Sequence, residues 1–406
     1  LFLVILPSQK SFLKKLLFLT CLAGIFFLSS KAQQDTCNLK ITLLTCAPGE
    51  ELYSTFGHTA IRVQNRAAGT DLVFNYGTFE FSPEFYSQFI MGKLLYYLSV
   101  EDFPNFMVQY QYESRSVWEQ VLQTSCEDQQ KLYEALMHNA QEPNRYYRYD
   151  FLFDNCTTRA GDMIVKHAGQ TVAIKNILPA KTPTFRDLIH SYLDSGGQYW
   201  SKLGIDILLG AKLDKKVSNR QAMFLPEYLL KGMDSASIRN SKLVTPPQKI
   251  LDLPSPLNTN SLFRPQFAFV LLIFLMVALS YAGNRWTRNV LAILDFVLFF
   301  FLGLSGLLLL FMWFGTDHLM TKNNYNLLWA LPTHAFMAFF VRSRRQWVRT
   351  YFTVSFWIYF ALLVCWLFLP QNLNEALLAL VFLAGYRSLI IAKKHTNERK
   401  ADPVRR

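Results

Sequence analysis

Five apolar segments crowd the last third of this chain, at residues 267–283, 290–314, 327–341, 351–369 and 376–392. Each approaches the ~20 residues that carry a helix across the hydrocarbon of a bilayer, although the third is short unless Tyr325 and Asn326 are counted with it. Trp286, Trp313, Trp329 and Trp347 stand near the ends of these runs, where indole rings favour the membrane–water boundary. Residues 263–392 are therefore expected to form an all-α bundle of five transmembrane helices.

The connecting loops predict its orientation. Arg285 and Arg288 follow the first run, Arg342, Arg344, Arg345 and Arg349 the third, and Lys393, Lys394, Arg399 and Lys400 the fifth. The alternate loops hold one basic residue, Lys322. The basic loops share one side, which the positive-inside bias assigns to the cytoplasm, and residues 393–406 are expected as a basic cytoplasmic tail. An odd number of spans then puts everything before residue 263 outside. The start agrees: Lys10, Lys14 and Lys15 precede an apolar run at 16–28, and Ser30-Lys31-Ala32 offers small residues at signal-peptidase spacing. Residues 1–32 are expected to be a signal peptide cleaved after Ala32. The destination implied is the bacterial inner (cytoplasmic) membrane, multi-pass, with the folded domain in the periplasm.

The net charge of +12 invites a nucleic-acid reading, but its distribution excludes one. Residues 33–283 carry 23 Lys/Arg against 24 Asp/Glu, and the excess lies beside the apolar runs.

Residues 33–262 are expected to form an α+β domain. Strands are predicted at 39–45, 58–63, 71–76 and 117–122, the second and third as a hairpin across a turn containing Gly69. Helical periodicity marks 126–140 and 157–167. A Pro/Ser/Asn-rich linker is expected from Thr245 to Asn258.

Two segments of this domain carry chemistry. In Phe151-Leu152-Phe153-Asp154-Asn155-Cys156-Thr157-Thr158-Arg159 a loop feeds a helix that Asp154 or Asn155 caps. Cys156 then sits at a helix N-terminus, where the dipole and first-turn N–H groups favour a thiolate and are available to an oxyanion. His58 opens a strand whose neighbour carries Asn75, a candidate to orient the imidazole. Together Cys156, His58 and Asn75 have the logic of a papain-like thiol enzyme with the histidine earlier in the chain. A disulfide-bonded, non-catalytic membrane scaffold uses the same residue types. Cys37, Cys46, Cys126 and Cys156 permit two bridges, or one bridge and two thiols. With Cys156 kept as a thiol, Cys126 is expected to pair with Cys37 or Cys46. No metal site is expected, because His138, His167 and His190 show no ligand-like spacing, and no soluble cofactor is required. In the loop at 315–326, Asp317, His318, Asn323, Asn324 and Asn326 read as a solvated polar loop or a lipid-headgroup site. Asp295 is expected to pair or to snorkel, and Arg387 to snorkel.

The stretches Ile41–Arg62, Phe74–Phe81 and Tyr149–Arg159, with Thr184-Phe185-Arg186-Asp187-Leu188-Ile189 and Gly204-Ile205-Asp206-Ile207-Leu208-Leu209-Gly210, resemble the Lnb family of lipoprotein N-acyltransferases. The resemblance implies a permuted NlpC-type papain-like fold, with His58 and Cys156 as the catalytic pair. It also implies a membrane phospholipid as acyl donor and diacylglyceryl lipoproteins as acceptors. The same residues on another substrate describe an NlpC-type cell-wall peptidase or amidase, or a lipase-like hydrolase.

Overall fold

The computed structural model describes residues 37–255, 257 and 263–393. The expected signal peptide and almost all of the expected tail lie outside the described residues.

Strands β1 (Leu39–Cys46), β2 (His58–Asn65), β3 (Thr70–Thr78), β4 (Leu95–Asp102), β5 (Val117–Val121), β6 (Tyr146–Arg148) and β10 (Gln248–Leu251) form one antiparallel sheet in the order β10-β5-β1-β2-β3-β4-β6. The short strands β7 (Val172–Ala173), β8 (Ser237–Ile238) and β9 (Ser241–Lys242) make a separate small sheet. The expected hairpin is present, turning at Gly69 with φ +66°.

Strand β1 is central and covered on both faces, which explains its near-continuous apolar run. Ile41, Leu43, Ile61, Val63, Phe74 and Tyr76 face a core completed by helices α3 (Cys126–Asn139), α4 (Cys156–Lys166) and α8 (Pro226–Ser235). The alternate residues Leu44, Cys46, Ala60 and Val73 pack on Phe106 and Tyr110 of α2 (Phe103–Tyr112). A third cluster, with Phe185, Ile189, Leu193 and Phe224, joins α5 (Phe185–Ser195) to the short α7 (Asn219–Ala222).

The expected linker begins later than its composition suggested. Thr245 N–H donates to the Val121 carbonyl and β10 (Gln248–Leu251) pairs with β5, so β10 finishes the sheet as an edge strand. Pro246 and Pro247 are tolerated because they precede that strand.

Among the described residues, four helices are long and apolar enough to cross a membrane: α9 (Pro265–Ala282), α10 (Arg285–Phe314), α12 (Gln346–Val364) and α13 (Ala376–Lys393). The third apolar run is not a continuous helix. It breaks into 3-10 turns at Tyr325–Leu328 and Ala338–Phe340 around the single-turn α11 (His334–Met337). Pro332 removes one backbone donor from its middle, and Asn324 turns its side chain onto the Asn326 N–H instead of continuing a helix.

This run still travels the length of α10. At one end Thr321 bonds the Met312 carbonyl and Asn326 holds the Asp206 carbonyl, while at the other Arg342 bonds Asn289. Gly303 and Gly306 of α10 let the irregular backbone approach: a Cβ there would lie 1.9 Å from Ala335 N and 2.1 Å from the Ala330 carbonyl oxygen. His334 bonds Tyr359 at 2.6 Å and Tyr351 at 2.8 Å, and the Tyr359 hydroxyl donates to the Trp329 carbonyl. Irregular backbone at membrane depth needs such partners inside protein.

Arg387 does not snorkel. It is fully buried and grips Asp295 with two bonds of 2.6 and 2.8 Å, each group supplying the countercharge the other lacks in an apolar bundle.

The polar loop at 315–326 is solvated only in part: Asp317 and Asn323 are exposed, but its other two asparagines turn inward. Asn324 and Asn326 are buried and hold the carbonyls of Asp206, Ile207 and Leu208 at the end of α6 (Tyr199–Leu208). Gly210 and Ala211 donate to the carbonyls of Met320 and Asn323. The loop is the seat on which the α+β domain rests.

Candidate active site

The helix start at Cys156 is built by Asn155. Its side-chain oxygen accepts from the N–H groups of Thr157 (2.8 Å) and Thr158 (2.9 Å), and Thr158 Oγ1 accepts from the Asn155 N–H in return. Its amide nitrogen donates to the carbonyls of Phe151 and Phe224, fixing the loop beneath the cap. Asp154, the other capping candidate, instead takes a bidentate bond from Arg159, whose guanidinium lies over the Tyr147 ring. This corrects one expectation: the cap consumes two of the first-turn N–H groups expected to be available to an oxyanion.

Helix α4 reaches the sheet where β3 is irregular. The β3–β4 register shifts between Asn75 and Thr78, and Gly77 there has φ +90°. A Cβ on Gly77 would make only ordinary contact, 3.4 Å from Cys156 Cβ and 3.7 Å from Tyr149 Cε2, so it is the left-handed φ that calls for glycine here. Thr59 and Thr157 lock β2 to α4 by a buried 3.1 Å hydroxyl pair.

His58 and the main-chain N–H of Thr59 lie close enough to the Cys156 sulfur to act on its charge. Thr157 Oγ1 lies 3.7 Å from Sγ. His58 Nε2 lies 3.2 Å from Asn75 Oδ1, and Asn75 Nδ2 donates to Glu101 Oε1 at 2.6 Å. That second bond fixes which way the Asn75 amide points. Nε2–H therefore donates to Asn75, and in the neutral ring Nδ1 is the basic nitrogen. The structure thus brings together all three residues expected from the sequence, and adds a fourth, Glu101. No local signal marked Glu101; its place follows from the β3–β4 register, which sets it opposite Val73 and diagonal to Asn75.

The electrostatics follow the geometry. Burial pushes the Cys156 thiol up, but the charge and hydrogen bond of His58, the Thr59 amide and the Thr157 hydroxyl more than offset this and lower it to about 7. Burial pushes His58 down, yet the Cys156 charge and the bonds to Cys156 and Asn75 leave it raised overall. A thiolate–imidazolium pair is the arrangement both shifts favour. Cys46 provides the contrast: it is also buried nearby, and its thiol is pushed up to about 12.

Cys37 and Cys46 are thiols, so the expected bridge to Cys126 is absent. Cys46 is walled in between the sheet and Tyr110, and Cys37 packs on the main core. Cys156 is likewise a thiol.

The pair opens into a cleft of about 690 Å³, a volume typical of lipid- or drug-sized ligands. Its walls are largely aromatic, with Phe56, Phe79, Phe89, Tyr96, Tyr149 and Phe151 among them.

A second polar cluster escaped sequence reasoning. Arg186, 1% exposed, bonds Asp206 at 2.6 Å and Asp214 at 2.9 Å. Asp206 also takes bonds from His190 and from Asn374 in the loop before α13. Both residues fall in the two later segments that carried the family resemblance, and they tie the α+β domain to the bundle.

Fold and site together define a membrane-anchored α+β domain with a helix-borne thiol beside a strand-borne imidazole. Two family models match: the Lnb N-terminal periplasmic domain over residues 27–191 and the Lnb transmembrane domain over 257–399. The chain belongs to the Lnb family, a membrane protein with a periplasmic region. Comparison with curated proteins and with solved structures returned no match.

Proposed function

We propose that this protein is an apolipoprotein N-acyltransferase of the bacterial inner membrane, working through a papain-like thiol site in the periplasm. His58 takes the Cys156 proton, and the thiolate attacks the carbonyl carbon of a phospholipid acyl ester. The tetrahedral intermediate collapses to a Cys156 thioester, and the departing lyso-lipid oxygen takes the proton from His58. The free α-amino group of a diacylglyceryl-cysteine lipoprotein then attacks the thioester. His58 removes the amine proton and returns it to the leaving sulfur, giving an N-acylated lipoprotein and free thiol. Asn75 keeps the imidazole oriented.

The observation that carries this reading is the thiol lowered to about 7 in an aromatic-walled cleft, on a domain seated directly on a membrane bundle. A water-soluble peptide substrate requires neither the aromatic walls nor the anchor. Both lipid substrates are confined to the bilayer surface, and tethering raises their effective concentration at the thiol.

The test is to give the purified protein acyl-labelled phospholipid without an amine acceptor. A hydroxylamine-sensitive label on Cys156, absent from Cys156→Ala and His58→Ala, is expected. Addition of a diacylglyceryl peptide should then move the label to its amino group. Lipoproteins N-acylated at the normal rate by Cys156→Ala would overturn the mechanism.

A further inference from the structure

The segment from Phe79 to Met91 is unusual for a domain surface in water. Helix α1 (Phe85–Met91) carries no charged side chain, and it leaves Tyr86 (70%), Phe89 (51%) and Ile90 (46%) exposed, with Phe81 (74%) just before it. Exposed apolar surface gathered in one place marks an interaction site.

Its position says what covers it. The left-handed C-cap Gly92 packs on the Asp317-His318 backbone, where a Cβ would lie 3.1 Å from His318 N. Asp317 N–H donates to the Met91 carbonyl, and His318 Nε2 donates to the Phe89 carbonyl at 3.0 Å. Asp317 and His318 follow directly on the outer end of α10, where Phe314 and Leu319 are exposed in turn. The exposed face of α1 thus continues the lipid-facing surface of a membrane span at the height of the bilayer boundary.

The same segment reaches the nucleophile. Phe89 stacks on Phe85, Phe85 lies tilted against Phe79, Phe79 meets Tyr96 edge-on, and Tyr96 stacks on Tyr149 at 4.3 Å between ring centroids. Tyr149 stands beside Cys156 across Gly77, and Phe89, Phe79, Tyr96 and Tyr149 line the cleft that holds the thiol.

We propose that α1 inserts its exposed face into the outer leaflet and that the aromatic row behind it conducts a phospholipid acyl chain from the bilayer to Cys156 without passing through water. The occupant of this surface is membrane phospholipid. The insertion stands on the geometry alone, whereas the conduction rests on the acyl-transfer reading above.

The full chain, carrying p-benzoylphenylalanine in place of Tyr86, Ile90 or Gln248, is reconstituted in vesicles of equal parts phosphatidylethanolamine and phosphatidylglycerol and irradiated. Gln248 lies on the opposite edge strand β10 and serves as control. Phospholipid adducts at positions 86 and 90, and not at 248, are expected. Adducts to protein alone, or none, would overturn the insertion. In parallel, the double variant Tyr86→Asp/Ile90→Asp should slow thioester formation from vesicle phospholipid by about tenfold or more. Its Cys156 alkylation rate should match the wild type, showing an intact site. Unchanged thioester formation would overturn the conduction. Adducts at 86 and 90 in a wild type that forms no thioester would instead sink the acyl-transfer reading and leave the insertion standing.

Discussion

Asn75 Oδ1 sits 3.2 Å from His58 Nε2, and the same side chain donates to Glu101 at 2.6 Å. The imidazole is therefore oriented by a residue that is itself held. Asn75→Ala should lower the rate of Cys156 acylation by about 10- to 100-fold, as loss of an orienting partner does elsewhere. Glu101→Gln should cost less, because a glutamine oxygen still accepts from Asn75 Nδ2. Single-turnover kinetics with labelled phospholipid measure both, and equal losses for the two variants would contradict this order.

The Cys156–His58 pair predicts a pH signature. The thiol is lowered to about 7 and the imidazole raised, so thiolate rises as pH climbs through about 7. Iodoacetamide alkylation, followed by mass spectrometry of the Cys156 peptide, should reach half its plateau rate near that pH. In His58→Ala the lowering charge and hydrogen bond of the imidazole are gone while burial remains, so the midpoint should move up. A midpoint that stays near 7 in His58→Ala would show that the imidazole does not tune the thiol.

The ion cluster between the domain and the bundle predicts a stability effect. Arg186 and Asp206 are both almost fully buried, so removing one strands the other. Arg186→Ala should destabilise the protein by about 3–5 kcal/mol. Thermal unfolding in detergent checks this. A midpoint within a degree of wild type would mean that the cluster contributes little.

What the sequence made legible was whatever is encoded locally. Asn155 and Thr158 spell a capping box within four residues, so the helix start and the place of Cys156 could be read directly. Strand β2 alternates, and a short hairpin turn sets His58 and Asn75 on adjoining strands. What stayed hidden depends on contacts distant in sequence. Glu101 reaches Asn75 only through the β3–β4 pairing, where it stands opposite Val73 and diagonal to Asn75. Arg387 meets Asp295 across 92 positions, and a window of hydropathy sees only two isolated charges. The β10 edge strand was masked by its neighbouring prolines. The third crossing looked helical because its composition is apolar, whereas its backbone follows Pro332 and the two glycines of the facing helix.

That third crossing gives the last prediction. With four long helices alone, residues on either side of the bundle would return to the same face. The irregular run at 326–341 extends from the Asp206 seat to Asn289, and is therefore expected to restore an odd number of passages. In a background lacking other cysteines, Gln248→Cys and Gln346→Cys should be labelled by an impermeant maleimide from opposite sides of sealed vesicles. Gly303→Leu should weaken this arrangement, because its Cβ would enter the Ala335 backbone 1.9 Å away and neither backbone has room to retreat. Overpacking of this kind costs about 1–3 kcal/mol or more, so the variant should unfold at lower temperature in detergent. Gly204→Leu, at a position with nothing within 4 Å, is the matched control and should leave the unfolding temperature near wild type. Labelling of both cysteines from one side would show that residues 326–341 do not cross, whatever the stability of the variants.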